Sequence, residues 1–127
     1  MALRVGIDLV SVDAVRDAVR EHGDRYLRRL YTPAEIEDCQ NAQGLVAEGL
    51  AARFAAKEAT VKVLRPEQEE EVPWPTIEVV RHPAGWVTLR LSGRAAALAA
   101  ERRLDGFTLS MTHENEYATA VVLAEEA

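Results

Sequence analysis

The chain has 127 residues, of which 48% are apolar and 28% charged, the proportions of a folded protein rather than a disordered one. Fifteen Lys and Arg against twenty-one Asp and Glu leave a formal charge of −6, which excludes a general nucleic-acid binder while allowing a local basic patch. The single cysteine, Cys39, excludes an internal disulfide or a cysteine-based zinc site. A chain this long buries roughly two-thirds of its unfolded surface, so residues 1–127 are expected to form one domain on an apolar core alone. The longest apolar runs, near Ala95–Ala100 and Ala118–Ala124, are too short to cross a bilayer. The segment Met1–Gly6 lacks the apolar stretch of a secretory signal, and the expected location is cytoplasmic, without a membrane contact.

In chain order, Leu3–Val10 mixes β-branched and apolar residues around Gly6 and Asp8 and reads as a buried first strand. Val12, Val15 and Val19 then recur at helical spacing, with Gly23 as a stop, and Asp24–Leu30 is a second short helical piece. Thr32-Pro33-Ala34-Glu35 has the form of a capping box with proline at the first helical position. The longest helix is expected from about Leu45 to Leu64, alanine-rich and free of proline. Arg65–Pro75 is a loop, and its Glu67, Glu69, Glu70 and Glu71 read as a solvated turn. Thr76–Arg81 and Trp86–Leu91 alternate like strands around His82-Pro83-Ala84-Gly85. Ser92 or Gly93 opens a helix to about Leu104, and Phe107–His113 and Tyr117–Ala124 form a second hairpin. The expected class is α+β, in the order β-α-α-α-β-β-α-β-β, with a mostly antiparallel sheet packed on the long helix.

Several side chains could carry chemistry. Asp8 lies inside an apolar strand, where a carboxylate costs free energy unless paired with a Lys, an Arg or a hard cation. On the long helix, Arg53 and Lys57 share one face, while Phe54, Glu58 and Lys62 share the adjacent one. Glu58 and Lys62 form either an exposed stabilising pair or part of a site in which Asp8 and Glu58 hold one Mg²⁺. Magnesium takes one or two protein carboxylates and fills its other positions with water and substrate phosphate oxygens, and Arg53, Lys57 and Lys62 would surround such a ligand. His113, after Ser110-Met111-Thr112, is either a structural residue or a ligand contact. Arg16, Arg20, Arg25, Arg28 and Arg29 are interleaved with acids, making either a solvated face or a docking surface for an acidic protein.

Three blocks together, Gly6-Ile7-Asp8-Leu9-Val10, Ala52-Arg53-Phe54-Ala55-Ala56-Lys57-Glu58-Ala59 and Ser110-Met111-Thr112-His113, give the chain a resemblance to a known family. It resembles the holo-[acyl-carrier-protein] synthases, the small type of 4′-phosphopantetheinyl transferase, over essentially its whole length. The resemblance implies that family's fold and transfer of 4′-phosphopantetheine from coenzyme A to a serine of apo acyl carrier protein, in fatty acid or polyketide biosynthesis. Adenosine 3′,5′-bisphosphate would be released. Carried over by position, Asp8 and Glu58 would bind Mg²⁺, and Glu58 and Lys62 would be catalytic. Arg53, Lys57, Lys62, Gly93 and His113 would contact coenzyme A. Arg16, Arg20 and Arg28 would meet the carrier protein, and the protein would be a homotrimer with its site between subunits. The chain departs from the family pattern at Val61, at Thr108 and in lacking a glycine-rich turn after Lys62. The reading from another class is a non-catalytic module that binds coenzyme A or the carrier protein.

Overall fold

The computed structural model describes residues 1–127. Strand β1 (Ala2–Ser11) leads into three helices, α1 (Val12–His22), α2 (Asp24–Leu30) and α3 (Pro33–Asp38). A minimal hairpin, β2 (Gln40–Asn41) and β3 (Gly44–Leu45), precedes the long helix α4 (Ala47–Leu64). A 3₁₀ turn at Trp74–Thr76 enters the hairpin β4 (Ile77–Arg81) and β5 (Val87–Leu91), followed by α5 (Gly93–Glu101), β6 (Leu104–His113) and β7 (Tyr117–Glu126). The α+β class and the long-helix packing are as expected. The order is longer than the expected one, because the two-residue strands of the small hairpin and a further helix precede β4. Strands that short carry too little pattern to be visible in a sequence.

Every strand pairing is antiparallel, and the strands form three separate sheets rather than one: β1-β7-β6, β2-β3 and β4-β5. The three-stranded sheet lies against α4. That contact is close because both surfaces are small: Ala55, Ala56 and Ala59 of α4 and Ala118, Ala120 and Ala124 of β7 are all buried. Close packing of small faces brings backbones together and leaves the larger Leu50, Val63, Leu64, Ile77 and Leu98 to fill the ends of the core. Helix α4 stops at Arg65, which takes the left-handed conformation at φ 52° ahead of Pro66. The guanidinium of Arg4 donates to the Val63 carbonyl at 2.9 Å, satisfying one of the acceptors that a helix end leaves free.

Two expectations need correction. Strand β1 is not buried on both faces: Leu3, Val5, Ile7 and Leu9 are 62–65% exposed, whereas Gly6 points at α4. The strand period of two explains this, since only one face meets the helix. The acidic loop is not wholly a solvated turn. Glu70 accepts hydrogen bonds from Arg94 at 2.9 Å and Arg102 at 2.8 Å, which ties the loop to α5.

Candidate active site

Gly6 sets how closely β1 approaches α4. A Cβ at this position would lie 2.1 Å from the Ala59 carbonyl oxygen and 3.2 Å from Lys62 Cβ, so only glycine fits. Asp8, two residues on, projects from the same face of β1. It is therefore delivered to the turn of α4 that carries Glu58 and Lys62. Lys62 Nζ donates to the Ile7 carbonyl at 2.8 Å and to Asp8 Oδ1 at 3.3 Å. The Asp8 main chain is held from the other side by Thr119 Oγ1, 2.8 Å from its carbonyl.

Two carboxylates and one ammonium leave this cluster one negative charge in excess. The Glu58 carboxylate makes no hydrogen bond or ion pair within the chain. Burial first, and then the charge of Asp8, push its carboxyl above the usual carboxylate range, with Lys62 opposing. No three His, Cys, Asp or Glu side chains converge anywhere to cage a metal. An unpartnered carboxylate beside a second one, open to solvent, suits a hard cation that completes its shell from water and ligand oxygens. The residues present thus fit the Mg²⁺ expected of Asp8 and Glu58.

Lys57 does not belong to this group. It is fully buried, and its ammonium donates to Glu35 Oε1 at 2.8 Å, to the Trp74 carbonyl at 3.2 Å and to the Ile77 carbonyl. Glu35 is equally buried and also accepts from the Val79 and Thr32 backbone amides. The Thr32–Glu35 capping box is present, and the same carboxylate bridges α3, α4 and β4. Burial lowers the proton affinity of Lys57, and Glu35 opposes that shift. All three donors of Lys57 are occupied inside the protein, so the expected contact with coenzyme A is replaced by a structural one.

Arg53 and His113 meet in a different place, an open cleft of about 340 Å³ that also takes in Asp38, Arg81, Gly49 and Met111. Neither Asp8, Glu58 nor Lys62 lines it. Arg53 is 6% exposed, donates to the Gly49 carbonyl at 3.2 Å, and has a buried Nε without a partner. The expected grouping of Arg53 with Lys62 therefore divides into two clusters on different faces of α4. Gly93 lies apart from this cleft too, exposed at the start of α5 with φ 44°, where a Cβ would press on Thr76 Cγ2 at 3.2 Å. Arg16, Arg20 and Arg28 are exposed and paired with acids of their own helices, at 2.7 Å to Asp13, 3.5 Å to Asp17 and 3.9 Å to Asp24. Such pairs are worth little and leave the cations available to another partner. Arg81 carries no sign of a site in the sequence, because it reaches Arg53 and His113 only in the folded chain, from the end of β4.

Comparison with known proteins defines the class. Residues 4–122 match the family model described as the 4′-phosphopantetheinyl transferase superfamily. A holo-[acyl-carrier-protein] synthase of Koribacter versatilis is 41% identical over 126 residues, covering 99% of this chain and all of that one. Among solved structures, the ACPS–CoA complex of Chronobacterium ammoniagenes superposes with a TM-score of 0.86 at 30% identity, covering 100% and 99% of the two chains. The Helicobacter pylori holo-[acyl-carrier-protein] synthase in complex with coenzyme A gives 0.82 at 25% identity, covering 96% and 100%. The chain belongs to the 4′-phosphopantetheinyl transferase superfamily. Within it, the full-length matches place the chain among the holo-[acyl-carrier-protein] synthases, so it is a transferase enzyme.

Proposed function

We propose that residues 1–127 act as one transferase domain that moves 4′-phosphopantetheine from coenzyme A to a serine of apo acyl carrier protein, in fatty acid or polyketide biosynthesis in the cytoplasm. No helix is long and apolar enough to cross a membrane. The observation that carries the reading is the close approach at Gly6, which gathers Asp8, Glu58 and Lys62. In this reading Asp8 and Glu58 hold Mg²⁺, which would neutralise pyrophosphate charge. The serine oxygen bonds to the β-phosphorus of coenzyme A, and the bond from that phosphorus to the bridging oxygen breaks. Adenosine 3′,5′-bisphosphate leaves. Lys62 stands by with its remaining donor to stabilise the charge that develops on the phosphoryl oxygens. Glu58, at the same cluster, is placed to take the serine proton.

The reading includes a homotrimer, in which the Arg53–His113 cleft of one copy completes the carboxylate cluster of the next. Two features support it: the two clusters lie apart on α4, and the exposed row Leu3, Val5, Ile7 and Leu9 offers an apolar face to a second copy. The exposed arginines of α1 and α2, with Arg16, Arg20 and Arg28 among them, suit an acidic carrier protein.

The test incubates the protein with coenzyme A, Mg²⁺ and an apo acyl carrier protein and reads the carrier by intact mass spectrometry. The expected result is a gain of one phosphopantetheine that disappears with Asp8→Ala, with Glu58→Ala or with chelator. No gain on several carriers, with coenzyme A still bound, would overturn transfer and leave a non-catalytic binding module.

A further inference from the structure

Strand β6 opens with Leu104-Asp105-Gly106-Phe107, and Asp105 is the one Asp or Asn of the chain that a glycine follows. Both Asp105 and Gly106 are exposed. Asp105 pairs with Glu125 and Thr108 with Leu123, so Gly106 and Phe107 together face the single residue Ala124 of β7. That is a β-bulge, and it takes the Gly106 amide out of register with the ladder. Gly106 holds φ at 62°, and its N–H donates to Asp105 Oδ1 at 2.7 Å.

In a trans peptide the N–H bond lies on the side of the preceding Cα. The Asp105 carboxyl hangs from that Cα, and the N–H points at it. A bond from the Gly106 nitrogen to Asp105 Cγ would run where the N–H bond now runs and would close a five-membered ring. No side chain on residue 106 stands in its way. The Glu125 carboxylate is close by, since a Cβ on Gly106 would lie 3.6 Å from its Oε2. Ring closure therefore also removes one of two like charges that face each other across the strands.

We infer that Asp105 is a site of spontaneous isomerisation, at which the folded chain forms a succinimide and then isoaspartate. The Gly106 nitrogen bonds to Asp105 Cγ, the carboxyl C–OH bond breaks, and the hydroxyl leaves as water with the amide hydrogen. Water then adds to the ring. Opening at Cγ restores aspartate, and opening at the Asp105 main-chain carbonyl routes the backbone through the side chain as isoaspartate. The added main-chain carbon enters at the bulge, where the ladder is already interrupted, so Thr108–His113 keep their register with β7.

The test ages the full chain at neutral pH, folded and, in parallel, unfolded in guanidinium chloride. After trypsin, the fragment Leu104–Ala127 is read for loss of one water, for isoaspartate by enzymatic methylation, and for the position of the change by fragmentation. Isoaspartate is expected at residue 105 of the folded chain at a rate within about tenfold of the unfolded one, because no global opening is needed. Asp105→Glu keeps the charge but would have to close a six-membered ring, and it is expected to form none. A site that reacts only on global unfolding would lag the unfolded chain by about a thousandfold or more, and that lag would overturn the assignment. So would isoaspartate that persists in Asp105→Glu or that arises at another aspartate in place of Asp105.

Discussion

Lys57 and Lys62 stand on the same helix, and each faces a carboxylate from another element. Their surroundings differ completely. Lys57 and Glu35 are both wholly excluded from solvent at 2.8 Å, whereas Lys62 keeps 54% of its side chain exposed and lies 3.3 Å from Asp8. An ammonium has three donors. Lys57 spends all three on Glu35, Trp74 and Ile77, and Lys62 spends two, on Ile7 and Asp8. The free donor and the solvent exposure, more than charge or sequence position, separate a cation that can meet a phosphate from one that fastens helices to a strand.

The sharpest way to break this comparison is to remove each ammonium in turn. Lys57→Met leaves the Glu35 charge buried without its partner, and the expected loss is about 3–5 kcal/mol in denaturant unfolding. Lys62→Met removes an exposed cation, so the unfolding midpoint is expected to stay within about 0.5 kcal/mol of wild type while the transfer rate falls. Unfolding at the wild-type midpoint in Lys57→Met, with coenzyme A affinity lost, would reverse the two roles.

Gly6 sharpens the comparison from the strand side. Gly6→Ala places a methyl where the Ala59 carbonyl stands, and β1 must move away from α4. Overpacking of this kind costs about 1–3 kcal/mol. The strand carries Asp8 with it, so the variant is expected to lose Mg²⁺-dependent coenzyme A binding by a larger factor than its loss of stability. Calorimetry below the melting temperature checks this, and unchanged affinity would show that Asp8 is placed by something other than the β1–α4 contact.

How much of this was legible in the sequence follows from the range of the forces involved. The capping box at Thr32–Glu35, the length of α4 and the two later hairpins depend on residues near one another in the chain, and those expectations hold. Asp8, Glu58 and Lys62 were readable as a group through the family resemblance, and the structure brings them together. Lys57 was misplaced because its carboxylate partner is Glu35, and helical spacing cannot reveal a contact with another helix. In the sequence, Glu35 reads only as a cap. The bare outer face of β1 was hidden for a similar reason: Leu3, Val5, Ile7 and Leu9 look like core until the helix is known to cover one face alone. Cys39 is buried, and burial pushes its pKa up to about 11, far from a reactive thiolate.

The gentlest contrast with the Lys57–Glu35 lock is Glu70, which also serves two elements but does so at the surface. Its carboxyl is held below the ordinary carboxylate value of 4.5, first by the Glu67 backbone amide and then by Arg102 and Arg94. A carboxylate whose folded value is depressed adds stability above the unfolded value and surrenders it as pH falls through the folded one. Glu70→Gln keeps the shape and removes the charge. It is expected to lower Tm only slightly at pH 7, with the difference from wild type shrinking below about pH 4 and in high salt. Melting curves across pH check this. A difference that stays constant down to acid pH would mean that Glu70 serves the loop as a neutral acceptor, and that the charge, decisive in the buried pair, does nothing here.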